Sequence, residues 1–141
     1  MLLQAVVTVL CGVGLYASLF MLGKARRAER GELAAPSVVL SPRARLFGGV
    51  SNAAIGCLYY PALAAAIWFV RTPAVGWGVL GASALAAVTS LALAWSLLFV
   101  TRRWCAYCWT AHTINWTLAA LACWSLAAGT GGRIVFPPLI R

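Results

Sequence analysis

Cys105 and Cys108 stand three residues apart, behind Arg102 and Arg103, with His112 and Asn115 following. His112 is the one histidine of the chain. Thiols at that spacing have three chemical uses and one structural use. As a helical i, i+3 pair they lie about 5–6 Å apart at Cβ, against the ~3.8 Å that a disulfide wants. A first helical turn can tighten enough to close that gap, so the pair can cycle between open and bridged forms. Helix N-terminal amides and the two arginines stabilise a thiolate, the form that attacks a disulfide or a quinone. With His112, the pair also offers three ligands to a metal, although no fourth stands nearby. A c-type haem needs histidine directly after the second cysteine, and Trp109 is there instead. Two cysteines packing as small hydrophobes are the bland alternative.

At about 100° per residue, Cys105, Cys108, His112 and Asn115 fall on one helix face. They form a polar stripe reaching about two turns along it. His112 alone would more often be a core histidine bonded to a carbonyl, and Asn115 or Asn52 a simple helix-to-helix link. On a face shared with the cysteine pair, His112 is also a candidate to hold a ligand. Trp104, Trp109, Trp116 and Trp124 fit interface belts and packing.

The stripe needs an element to carry it, and composition says which kind. Of 141 residues, 63% are hydrophobic and 9% are charged. Soluble domains carry about 25% charged residues, so these charges are too few to cover a water-facing surface. Four apolar runs are visible, at about 2–22, 50–70, 74–100 and 104–128. A helix needs ~20 apolar residues to cross a bilayer. The expected fold is therefore an all-α membrane protein, a bundle of four transmembrane helices forming one domain over 1–141. The first run precedes its basic cluster, KARRAER, the reverse of a signal peptide's order, so it reads as a retained span. Residues 23–49 are expected to be a loop, with room for a short helix along the membrane surface. Pro36 and Pro42 oppose a continuous helix there. Ser51 or Asn52 can cap the second helix, and Pro61 can kink it. Gly76, Gly78, Gly81, Ala82 and Ser83 would let the third helix pack closely.

The net charge is +9, from eleven Lys and Arg against two Glu. These bases stand in short loops and at helix ends, where lipid headgroups meet them. No aromatic–basic pattern or zinc-finger spacing points to nucleic acid. Cys11, Cys57 and Cys123 lie singly within apolar runs, and an odd count with one close pair argues against a disulfide scaffold.

"WCAYCWTAHTIN" resembles the C-x-x-C-x-T-x-x-x-I-N stretch of the vitamin K epoxide reductase family. "SNAAIGCLYY" resembles the start of that family's second helix, "LCGVGLYASL" its first helix, and "VLSPRARLFG" the end of its loop. The resemblance covers nearly the whole chain in the same four-span order. It implies a bacterial-type thiol:quinone oxidoreductase, multi-pass in the plasma membrane. Electrons would pass from a protein or small-molecule dithiol through Cys105 and Cys108 to a menaquinone- or ubiquinone-type quinone. Carried over, Cys108 is the thiolate facing the quinone and Cys105 the partner that exchanges with an incoming thiol. Asn52 matches the asparagine that bonds a quinone carbonyl. His112 stands where many members have tyrosine, and an imidazole N–H can still donate to a quinone carbonyl.

One departure is plain. Family members usually have two shuttle cysteines in the first loop, and residues 23–49 hold none, with Ala35, Pro36 and Ser37 around the expected place. The implied partners are then membrane lipid, a quinone, a separate thioredoxin-like or other thiol protein, or a larger membrane complex. An accessory subunit that keeps the fold without the chemistry is the alternative, and Cys/His metal handling is a further one. The loop side carries eight Lys and Arg and the other side three. The positive-inside rule alone would put the cysteines on the cytoplasmic side. The resemblance puts them on the outer, oxidising side, and that placement is the one expected here.

Overall fold

The computed structural model describes residues 2–32, 45–46, 49–69 and 72–127. Four α-helices run in order: α1, Leu2–Glu29; α2, Asn52–Phe69; α3, Pro73–Trp95; and α4, Ala106–Ala127. A π-helical segment, Ser96–Thr101, extends α3. Two short antiparallel strands, β1 (Arg45–Leu46) and β2 (Val50–Ser51), lead into α2 and pair Arg45 with Ser51 and Leu46 with Val50.

α1 runs seven residues beyond the expected end of its apolar run and takes in residues 23–29 of the expected loop. Lys, Ala, Arg and Glu are strong helix formers, and Arg26 and Arg27 in the last turn suit the negative end of the helix dipole. The stop comes at Gly31, at φ +74°. There the Gly31 N–H donates to Ala28 O (3.1 Å) and the Glu32 N–H to Arg27 O (3.0 Å), the paired bonds of a Schellman cap. Arg30 and Arg45 then pair with Glu32 and Glu29, each at 2.7 Å, tying β1 back to the end of α1. Ala35, Pro36, Ser37 and Pro42, and with them any short surface helix, lie outside the described residues, as do Arg71, residue 128 and the chain beyond it.

The other ends also differ from the sequence pattern. α2 starts at Asn52 because Ser51 caps it, its Oγ accepting from the Ala54 N–H at 3.2 Å. Residues 50–51, expected to be helical, pair as a strand instead. Pro61 lies inside α2, which runs on through it. Pro73 opens α3 at the first helical position, where its missing N–H costs nothing. α4 begins at Ala106, not at Trp104.

α1 packs on α2 and on α4, and α3 packs on α4, while α2 and α3 scarcely touch. Val7 and Cys11, Tyr60 and Leu63, and Ile114 and Leu118 form the core, each pair three or four residues apart and so on one helix face. Gly14 admits the ring of Tyr60: a Cβ built on Gly14 would run into that ring. Polar ties hold the helices together as well. Trp68 Nε1–H donates to Thr8 Oγ1 at 2.8 Å, and Trp116 Nε1–H to Ala87 O at 3.2 Å.

The outward faces are apolar too, with Val9, Leu58, Leu85, Val88 and Leu91 all more than 60% exposed. Apolar cover of that extent marks a surface that meets lipid or protein. Two 28-residue helical stretches, Leu2–Glu29 and Ala74–Thr101, are long and apolar enough to cross a membrane. α2 is apolar but shorter, spanning about 27 Å at 1.5 Å per residue.

Candidate redox site in the helix bundle

The cysteine pair sits where α3 hands the chain to α4. The π-helical turn ends at Arg102, which takes the left-handed conformation at φ 48°. That reversal directs the chain into α4. Thr101 steadies the wide turn, its hydroxyl donating to Ser96 O at 2.9 Å, a carbonyl five residues back. π-helical turns concentrate at functional sites because they re-aim side chains, and Ser96, Leu97 and Thr101 all face the cavity described below.

Cys105 lies just outside α4, not within its first turn. Its carbonyl accepts the Trp109 N–H (3.0 Å) and its Sγ accepts the Cys108 N–H (3.3 Å), the two bonds of a helix N-cap. From that position Cys105 is bridged to Cys108 by a disulfide, with the Cα atoms 5.2 Å apart. An N-cap residue is free of helical φ and ψ, so it can swing towards the third helical residue in a way that two residues inside a regular turn cannot. Cys105 Sγ also rests 4.0 Å from Met21 Sδ of α1.

Beside the disulfide is a cavity of about 380 Å³ lined by all four helices. Cys108 is on its wall, and Cys105 is not. Asn52, at the first turn of α2, lines it, and so do His112 and Asn115. Three of the four stripe residues therefore share one chamber with Asn52, and the fourth is joined to it through the disulfide.

His112 is 6% exposed, and among the described residues neither ring nitrogen has a hydrogen-bond partner. Leaving a buried polar group unbonded costs about 1–3 kcal/mol, so an orphaned imidazole on a cavity wall points to a missing partner. Its ring packs against Trp109, edge-on at 6.2 Å, and Trp116, stacked at 6.3 Å, and these two indoles also meet each other at 6.5 Å. Their spacing of three and four residues from His112 puts all three rings on one helix face. Trp104, 78% exposed, stacks on Trp109 at 5.7 Å.

Other wall residues carry no sequence signal. Tyr60 O–H donates to Asn115 Oδ1 at 3.0 Å, and Asn115 Nδ2–H donates to Ser90 Oγ at 2.8 Å. Tyr107, between the two cysteines, stacks on Phe20 of α1 at 3.9 Å. Tyr60 and Ser90 sit in segments of α2 and α3 that are apolar nearly all round, where hydropathy distinguishes no face. Cys11 is buried in the core, Cys57 is partly buried on α2, and Cys123 is exposed on α4. Among the described residues, no three His, Cys, Asp or Glu side chains converge as a metal site would need.

No curated protein matches the chain. A family model does, over residues 5–123, and that stretch contains every wall residue named above together with the disulfide. On this match the chain belongs to the vitamin K epoxide reductase family, integral membrane proteins of thiol–quinone oxidoreductase type.

Proposed function

We propose that the chain is a four-span, single-domain oxidoreductase of the bacterial plasma membrane, carrying electrons from a dithiol through Cys105 and Cys108 to a menaquinone- or ubiquinone-type quinone. The observation that carries this reading is a C-x-x-C disulfide with one cysteine on the wall of an apolar cavity and the other off it. A relay between two reactants needs that division, with one face for the thiol donor and one for the acceptor.

The residues present fit a quinone. Small-molecule sites are mostly apolar clefts of about 300–1,000 Å³ with a few placed polar groups, and about 380 Å³ falls within that range. Asn52 and His112 would hold carbonyl oxygens, the imidazole as an N–H donor. The quinone, when bound, accepts two electrons and two protons.

The chain's own steps follow from thiol–disulfide exchange. A donor thiolate attacks Cys105 Sγ; the Cys105–Cys108 bond breaks, and Cys108 leaves as thiolate. The donor's second thiol then attacks the mixed disulfide and releases Cys105. The donor is now a disulfide and the chain a dithiol. Re-forming the Cys105–Cys108 bond gives up two electrons and two protons, which pass to the quinone. With no cysteine in residues 23–49, the donor, a thioredoxin-like or other thiol protein, reaches Cys105 directly or brings the shuttle thiols itself. We place the cysteine pair on the outer, oxidising side.

The test is turnover by purified protein reconstituted in lipid with a naphthoquinone and a dithiol. Quinone consumption that needs both protein and dithiol supports the reading. Protein that consumes none, while its disulfide remains intact, contradicts it and favours an accessory role.

A further inference from the structure

Cys105 is off the cavity wall, and the surface around it is basic. Its Sγ touches Met21 Sδ of α1 at 4.0 Å, and Phe20 of α1 stacks on Tyr107 at 3.9 Å. Those contacts fix which face of α1 meets the start of α4. Lys24 stands three residues after Met21 and four after Phe20, so it lies on that same face, one turn farther out. Lys24 is exposed. Arg102, Arg103 and Trp104 lead directly into Cys105, and all three are exposed as well. The half-buried Cys105 is thus approached past cations from two separate elements, α1 and the link between α3 and α4.

The chain has few acids to set against these bases. Its two acidic residues are Glu29 and Glu32. Glu29 pairs with Arg45 at 2.7 Å, and Glu32 with Arg30 at 2.7 Å and Arg27 at 3.5 Å. Both are therefore engaged at the far end of α1, and no acidic side chain remains for Lys24 or Arg102. Trp104, 78% exposed, is stacked on Trp109 at 5.7 Å. Tryptophan and arginine are the residues that most often anchor protein partners. Lipid headgroups attract bases and indoles too, but a headgroup reduces no disulfide. A thiol must reach Cys105 Sγ past these side chains, and residues 23–49 hold no cysteine to deliver it.

We infer that this patch is the docking surface of the thiol donor, and that the donor is a protein whose redox cysteine lies in an acidic surface. This rests on the thiol–quinone reading above and adds the charge of the partner and the residues that meet it. Opposite charge raises encounter rates by about 10- to 1,000-fold, a gain that fades with salt. A positive surround also favours the thiolate form of the incoming donor, the form that attacks. Lys24, Arg102 and Arg103 steer the partner, and Trp104 gives it a flat apolar contact.

The test uses three dithiol peptides, each a C-x-x-C loop flanked by Glu, by Gln or by Lys. The full-length chain, oxidised and free of quinone, is held in phosphatidylcholine nanodiscs. Opening of the Cys105–Cys108 bridge is followed by thiol labelling, as each peptide is oxidised to its own disulfide. Each rate is divided by the same peptide's rate with hydroxyethyl disulfide, which removes differences in intrinsic thiol reactivity. At low salt the Glu peptide should be about tenfold faster than the Gln peptide and the Lys peptide slower still, and the spread should close at about 1 M salt. Lys24→Glu alone, at an exposed helical position, should narrow the spread, and Lys24→Glu with Arg102→Glu should reverse its order. The preference for the Glu peptide should persist when anionic phosphatidylglycerol is added to the nanodiscs. Its loss there would mean that headgroups neutralise these bases, and would overturn the inference. Equal normalised rates for the three peptides would overturn it too, as would a preference unchanged in both variants. In all those cases the peptides still open the bridge and the reading beneath survives. A bridge that neither the peptides nor dithiothreitol opens contradicts both.

Discussion

Replacing Cys108 with alanine should lower dithiol-driven quinone reduction by at least about a thousandfold, because on the proposed mechanism it removes the group that carries electrons to the cavity. Cys105→Ala should cost as much, since neither sulfur can form the bridge alone. The two variants part on a second readout. In Cys108→Ala, Cys105 remains off the cavity wall, at the helix mouth beside exposed Arg102, Arg103 and Trp104. With a donor cut down to one thiol and activated as a mixed disulfide with a small thiol, attack by that thiolate expels the small thiol and leaves a donor–Cys105 disulfide that no second thiol resolves. Such an adduct should accumulate and run as a larger species on a non-reducing gel. In Cys105→Ala the surviving thiol faces the cavity, and no protein adduct should form. Equal trapping by both variants would mean that the two sulfurs do not divide their roles as the cavity wall divides their positions.

His112→Phe should raise KM for quinone by about 10- to 100-fold, the penalty for removing a buried donor to a neutral acceptor together with the neighbours' fit to it. The disulfide should still form, and dithiol reduction of the pair should keep its rate, because His112 stands four residues beyond Cys108 and lines only the cavity. His112→Tyr keeps a donor at the site and should recover most of the lost affinity. Steady-state kinetics across quinone concentrations, with thiol labelling of the pair, separates these outcomes. The buried nitrogens set the size of the expected effect: both lack a partner among the described residues, and on the proposed reading a quinone carbonyl supplies one.

The chemistry of the site was more legible in the sequence than its walls. A helical repeat placed Cys108, His112 and Asn115 on one face, and all three meet in the cavity with Asn52. Legibility came from contrast, since polar residues in an apolar helix mark a direction. α2 and α3 offer little contrast. Leu85 faces outward at 65% exposure and still edges the cavity, so no pattern of apolar residues could separate wall from lipid-facing surface. Tyr60 and Ser90 were missed for that reason. The reach of α1 was missed for another. Charge does not end this helix, because Lys and Arg are good helix formers, and the true stop is the glycine at positive φ. The expected start of α4 at Trp104 puts Cys105 two residues too far into the helix, because side-chain spacing does not distinguish an N-cap from the first helical residues. Only the backbone bonds at Cys105 do.

The central claim is that one sulfur pair cycles between bridged and open forms under the control of a quinone in the same chamber. Differential alkylation of Cys105 and Cys108 in native membranes tests it most directly. With the quinone pool oxidised, the pair should be bridged. Extraction of the quinone in the presence of a dithiol should leave it open, and adding quinone back should restore the bridge. A pair that stays bridged whatever the state of the pool, or stays open with oxidised quinone present, would contradict the account.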